Sequence, residues 1–204
     1  KGISKILPGH FGIYKNSILE KHRWWCTLDH LVDVPKKYDD QVKFFRKLLI
    51  DAVRIRMRSD VAIGTGLSGG LDSSSIVSIM KLIKNEEADN LDSLSDWQHC
   101  FCSSYSSSSI DESNWAKKVC DHLDLKLNII NIDLNSSKWS IEDSLIQVED
   151  PYITLPIPHL ETYEAMSNAG IKVSIDGHGV DELFCGYDNL LAASSDATFS
   201  EIAE

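Results

Sequence analysis

From Asp39 onward apolar residues recur at intervals of three and four: Val42, Phe45, Leu48, Leu49, Ala52 and Ile55, with Lys43, Arg46, Lys47, Arg54 and Arg58 between them. That spacing turns one helical face toward a core and predicts an amphipathic helix ending near Ser59. Residues 61–67 follow as a short apolar run of strand length, and residues 73–84 carry Ile76, Val77, Ile79, Met80 and Ile83 on a broad helical face. Strand, tight loop and helix in that order open a parallel βαβ unit. The pattern then repeats. A strand is predicted over 98–104, a helix capped by Asp111 with Trp115, Val119 and Leu123 on its apolar face, and a strand over 126–132. Helices over 141–148 and 160–169 are separated by the proline-punctuated stretch 149–158; Gly170 ends the second, and a short strand is predicted over 171–175.

Strands alternating with helices imply an α/β fold, a doubly wound parallel sheet with helices on both faces, whose ligand chemistry lies beyond the carboxyl ends of the strands. Residues 1–38 show no sustained period, with scattered Gly and Pro and the pair Trp24-Trp25, and read as a short irregular or hairpin-like opening segment before a domain over 39–204. No internal repeat is visible, and the serine-rich stretch 103–109 reads as a surface loop.

Composition narrows the function classes. Asp and Glu outnumber Lys and Arg by 31 to 20, a formal charge of −11, which opposes broad contact with a nucleic-acid backbone but not local binding of a small anion. No apolar run is long enough to span a membrane, and the opening residues lack a signal-peptide core, so a cytoplasmic location is expected. Five cysteines, Cys26, Cys100, Cys102, Cys120 and Cys185, form no CxxC pair and are read as reduced. His99, Cys100 and Cys102 could suggest zinc, but an apolar strand setting favours buried structural thiols.

Two glycine-rich stretches fall at strand ends. In "GLSGGLDSSS", Ser68-Gly69-Gly70 leaves successive amides free to face an anion, the following helix start adds unpaired donors, and Ser73 and Ser74 supply hydroxyls. A Walker A loop would carry a lysine; here Asp72 stands beside the anion, which is coherent if Mg²⁺ lies between them. The same residues would also make a plain Gly-Gly turn with a capping aspartate. In "DGHGVDELFCGY", Gly177 and Gly179 bare the backbone, and Asp181 and Glu182 sit at a helix start, as caps or, for Asp181 with Asp72, as a two-carboxylate metal site.

These two stretches, "SDVAIGTGLSGGLDSSSI" and "DGHGVDELFCGY", resemble the signature segments of the synthetase domain of asparagine synthetases, of the pyrophosphatase-loop family. "LPGH", the Arg23-Trp24-Trp25 patch and "IDES" agree more weakly, and the likeness runs from about Ile3 to Tyr187. The resemblance implies ATP-dependent amide formation: a carboxylate, aspartate in the family, attacks the α-phosphorus to give an acyl-adenylate and pyrophosphate, then ammonia or another amine displaces AMP. It places Ser68, Gly69, Gly70, Asp72, Ser73 and Ser74 on the pyrophosphate loop and Leu67 on the adenine side. It places Asp176 and Gly177 where backbone meets nucleotide, and Asp72 and Asp181 on Mg²⁺. Residues 1–38 resemble the end of the linker that leaves a glutaminase domain, so a separate glutaminase domain or subunit is an expected partner. The carboxyl end stops short of the family's basic helical region, and an oligomer is left open.

One departure concerns chemistry. His178 stands where the family carries a glutamate linked to the nitrogen nucleophile; a histidine there is compatible with a base, with a substrate or loop-packing role, and with a site out of use. Amide formation on another carboxylate, from a secondary metabolite, peptide or glycan, and a catalytically incomplete ATP-binding remnant are the alternatives.

Overall fold

The computed structural model describes residues 4–86, 98–105, 108–149, 156–184 and 186. The chain divides into two compact units, with the boundary between Lys47 and Leu48. In the first unit β1 (His10–Lys15) and β2 (Ile18–Arg23) form an antiparallel hairpin in which Lys15 faces Ile18. Asn16 and Ser17 close it with φ values of 52° and 63°, both in the left-handed region that a two-residue hairpin loop of the primed kind demands. The Gly9 carbonyl accepts from the amides of Trp24 and Trp25, and the Trp25 ring stacks on His30 with centroids 3.9 Å apart.

The helix α1 (Tyr38–Arg56) ends three residues short of its predicted limit, with the Met57 amide still bonded to the Val53 carbonyl. It is followed in the second unit by β3 (Ile63–Gly66), α2 (Leu71–Glu86), β4 (Gln98–Ser104), α3 (Ser113–Leu123), β5 (Leu127–Asn131), α4 (Ile141–Val148), α5 (Ile157–Asn168), β6 (Val173–Ser174) and α6 (Val180–Phe184). Among the described residues the strands of this unit make one four-stranded sheet in the order β5-β4-β3-β6, with every pairing parallel. The chain therefore steps from β3 outward through β4 to β5 and returns to the other side of β3. That reversal makes the carboxyl end of β3 a topological switch point, the place where open α/β sheets bind ligands.

Alternation along β4 sorts the core. Cys100 and Cys102 pack with Leu67, Val77, Ala116 and Cys120, under α2 and α3. Phe101, on the opposite face, packs with Met166 of α5 and with Ile171. Ile63 extends the first face, where Val53 of α1 meets Ile76, Met80 and Ile83 of α2. Helices thus cover both faces of a parallel sheet, the predicted α/β architecture. Phe101, Met80 and Val77 are at most 2% exposed, and each such side chain contributes about 1.5–3 kcal/mol. No helix among the described residues is long and apolar enough to cross a membrane.

Two elements differ from expectation for local reasons. β6 pairs with β3 only at Val173 and Ser174, because the next ladder donor, the Gly66 amide, is taken by the side chain of Asp176. The N-cap of α3 is Glu112, whose side chain caps nothing; Asp111 instead accepts from the Ser113 amide at 2.9 Å and from the Ser104 hydroxyl at 2.9 Å.

Candidate functional site

At the end of β3 the Leu67 amide reaches the Phe101 carbonyl at 2.8 Å, carrying the β3–β4 ladder one residue further before the chain turns. The turn is held from inside: the Ser68 hydroxyl accepts from the Gly70 amide at 3.1 Å and lies 3.1 Å from the Ser73 hydroxyl. Gly69 has φ +86°, and a Cβ there would lie 2.5 Å from the backbone of Trp115 and Ala116, so the loop packs against the start of α3 as only glycine can. The chain then enters α2, whose opening amides have no carbonyl one turn back inside the helix.

The second glycine-rich segment is pressed against the first. A Cβ on Gly177 would come within 3.0 Å of the Ser73 nitrogen and 3.3 Å of the Asp72 Cβ. Asp176, just before it, ties the two strand ends together: Oδ1 accepts from the Gly66 amide at 2.6 Å, and the Ser174 hydroxyl donates to both oxygens at 2.8 and 2.9 Å. Gly179, with φ +91°, then lets the chain turn into α6, which carries Asp181 in its first turn.

These segments open onto one cavity of ≈ 770 Å³ at the carboxyl ends of β3, β4 and β6. Leu67, Ser68, Gly70, Asp72, Ser73, Asp176, Gly177, His178 and Asp181, all named from the sequence, line it. Gly69 and Ser74 do not: Gly69 faces α3, and the Ser74 hydroxyl is buried without a hydrogen-bond partner. The half-buried carboxylates of Asp72 and Asp181 meet no hydrogen-bond donor or cation among the described residues. His178 is exposed at the cavity wall between its two glycines.

The sequence reading did not single out the opposite wall. Tyr105 and Glu112 come from the β4–α3 crossover, and His159, Thr162, Tyr163 and Met166 from α5. The α5 residues are spaced three, four and seven apart, one helical face. A helix start at Leu160 leaves His159 off that stripe. The helix begins at Ile157, with Pro158 in its first turn, where a missing amide costs nothing. Burial, followed by the neighbouring Cys102 and Glu161, raises the Tyr105 phenol above its ordinary pKa.

Cys100 and His99 are not among the residues that line this cavity, whereas Cys102 is. Hydrogen bonding with Cys120 and then burial push the Cys100 thiol well up, and burial followed by the charges of Asp111 and Glu112 pushes Cys102 up to about 11. Among the described residues no cluster of three or more His, Cys, Asp or Glu is arranged to hold a metal ion. Cys185 lies outside the described residues.

Compared with known families, residues 45–203 match the family model described as asparagine synthase. The chain belongs to the asparagine synthase family. Among curated relatives it is 31% identical over 196 residues to amidase chyE of Penicillium rubens, covering 92% of this chain and 29% of that protein. It is 29% identical over 201 residues to the putative asparagine synthetase [glutamine-hydrolyzing] 2 of Methanocaldococcus jannaschii, covering 89% of this chain and 36% of that one. The chain thus spans about a third of the length of these curated relatives. Among solved structures it is similar to the NH3-dependent NAD synthetase of Campylobacter jejuni, with a TM-score of 0.43 and 20% identity, covering 69% of this chain and 58% of that one.

Proposed function

We propose that this chain handles ATP in an AMP-forming, amide-making ligase. The observation that carries the reading is the meeting of the two glycine-rich loops, with Asp72 and Asp181, on one cavity at the topological switch point. A substrate carboxylate oxygen attacks the α-phosphorus of ATP, and the bond to the bridging oxygen of pyrophosphate breaks. Negative charge grows on the leaving group, where the Ser68 and Ser73 hydroxyls line the cavity and the opening amides of α2 are left without intrahelical partners. Ammonia or an amine then attacks the acyl carbon of the adenylate, AMP departs, and the proton lost from nitrogen goes to His178.

The donor set fits Mg²⁺: two hard carboxylates, uncommitted among the described residues, share the cavity with the anion-binding loop. When bound there, Mg²⁺ supplies neutralisation of phosphate charge. Residues 1–38 are read as the end of a linker from a glutaminase domain, which would be the source of ammonia.

Two features favour a second version, in which the acid is not aspartate: His178 stands at the position of the family's glutamate, and 31% identity is to a protein named an amidase. Pyrophosphate exchange into ATP, measured with aspartate and a panel of other carboxylates, tests both. We expect Mg²⁺-dependent exchange with at least one acid, abolished in Asp72→Asn and Asp181→Asn. Exchange that survives fully in Asp72→Asn sinks the proposal, and MgATP binding without AMP release identifies a remnant.

A further inference from the structure

The hairpin of the first unit has two outer edges, and they differ. The Trp24 amide donates to the Gly9 carbonyl at 2.9 Å, and in this register Phe11 faces His22, Ile13 faces Glu20 and Lys15 faces Ile18. Hydrogen-bonded pairs recur at every second residue, so the backbone groups of Phe11, Ile13 and Lys15 turn toward β2. Those of His10, Gly12 and Tyr14 turn outward from β1, and those of Leu19, Lys21 and Arg23 outward from β2. One of the β1 groups is already committed, because the His10 amide donates to the Leu7 carbonyl at 3.1 Å. The amides of Gly12 and Tyr14 and the carbonyls of His10, Gly12 and Tyr14 have no hydrogen-bond partner among the described residues.

This set of open groups is complementary to itself. In antiparallel pairing across a two-fold axis at Gly12, the Gly12 amide and carbonyl of each copy meet those of the other. Each Tyr14 amide meets a His10 carbonyl, and the ladder ends where the His10 amide is occupied. Phe11 stands opposite Ile13 of the other copy, twice, at the closer spacing of a non-hydrogen-bonded pair, where an aromatic ring and a β-branched side chain attract. Phe11, Ile13 and Tyr14 are 45%, 49% and 72% exposed in the single chain, so the pairing covers apolar surface. Charge decides between the two edges. Between His10 and Tyr14 there is neither a charged residue nor a proline, so β1 lacks the usual guards of an open strand. The same pairing about the middle of the β2 edge sets Lys21 directly against Lys21, which is unfavourable. We propose that β1 is a dimerisation edge that joins two copies of this chain in a four-stranded sheet of order β2-β1-β1-β2. A lone two-stranded hairpin is marginal in water, and added strands relieve that.

Amide hydrogen exchange, read residue by residue over a range of protein concentrations, tests the pairing beside sedimentation velocity on the same samples. The chain should dimerise as concentration rises, and protection of the Gly12 and Tyr14 amides should grow with the dimer fraction. The amides of Lys21 and Arg23, outward on β2, should exchange at one rate throughout. Tyr14→Pro removes an outward amide, a change that edge strands tolerate, and with it two ladder bonds per dimer; it should weaken dimerisation about tenfold or more. Lys21→Pro removes the matching amide of β2 and should leave dimerisation unchanged. A chain that is monomeric at every concentration overturns the inference. So does a dimer whose Gly12 and Tyr14 amides gain no protection, which puts the contact elsewhere, or one that Tyr14→Pro leaves at full strength. Where a proline variant does not fold, exchange in the unaltered chain decides.

Discussion

The amide of Gly66 donates to Oδ1 of Asp176 at 2.6 Å, a side-chain bond across 110 residues of sequence that stands where the β3–β6 ladder would otherwise continue. The bond lets β6 leave the sheet after two residues while its end stays fixed, and the chain beyond it delivers Gly177 against Asp72 and Ser73. Replacing Asp176 by Ala leaves a half-buried amide without an acceptor and should cost about 1–3 kcal/mol. Asparagine keeps an acceptor oxygen and should cost clearly less. Urea unfolding of the three proteins checks the order, and an alanine variant as stable as the parent would refute the latch.

That bond also marks where the sequence stops being legible. β4 and α4 appear at their predicted bounds because each is a local matter: an apolar run of strand length, and a helix that Ser140 caps by accepting from the Asp143 amide. The residues of the two glycine-rich loops could be read because they are local patterns at strand ends. The brevity of β6 could not, since it depends on a carboxylate capturing an amide on another strand. Nor could the α5 wall: Thr162 and Ser103 are 59 residues apart and meet only because alternation along β4 turns Ser103 toward α5.

Gly69 and Gly70 look alike in sequence and differ in what surrounds them. A Cβ on Gly69 meets backbone at 2.5 Å with φ +86°, whereas on Gly70 it meets only the Ser68 hydroxyl at 3.2 Å. Gly69→Ala should therefore destabilise by more than the ~1–2 kcal/mol that left-handed backbone alone costs a residue with a Cβ. Gly70→Ala should stay well below that. Thermal unfolding ranks them, and the reverse order would contradict the packing of the loop on α3.

Asp111 makes part of the stability pH-dependent. Hydrogen bonds from Ser113, its backbone amide first, and from Ser104 lower the carboxyl pKa below its ordinary 3.8. A carboxyl with a depressed folded-state pKa contributes stability that is fully present above its ordinary value and is lost as pH falls through the depressed one. The stability advantage of the parent over Asp111→Asn should hold constant near neutrality and shrink in acid below that ordinary value. Unfolding curves across the acid range give the difference directly; a gap that widens in acid would mean the sign is wrong.

The cysteines should separate by reactivity although the sequence presents them as similar. Thiolate is the reactive form, and an ordinary thiol near pKa ~8.5 is substantially ionised at about pH 8. Cys102, pushed up to about 11, and Cys100, pushed further in the same direction, stay protonated there, and Cys100, Cys102 and Cys120 are all buried while Cys26 is half-buried. Native alkylation followed by peptide mapping should find Cys26 modified well before the other three, which should react only once the protein is unfolded in urea. Early modification of Cys100 or Cys102 in the folded protein would show that β4 and α3 open far more readily than their packing allows.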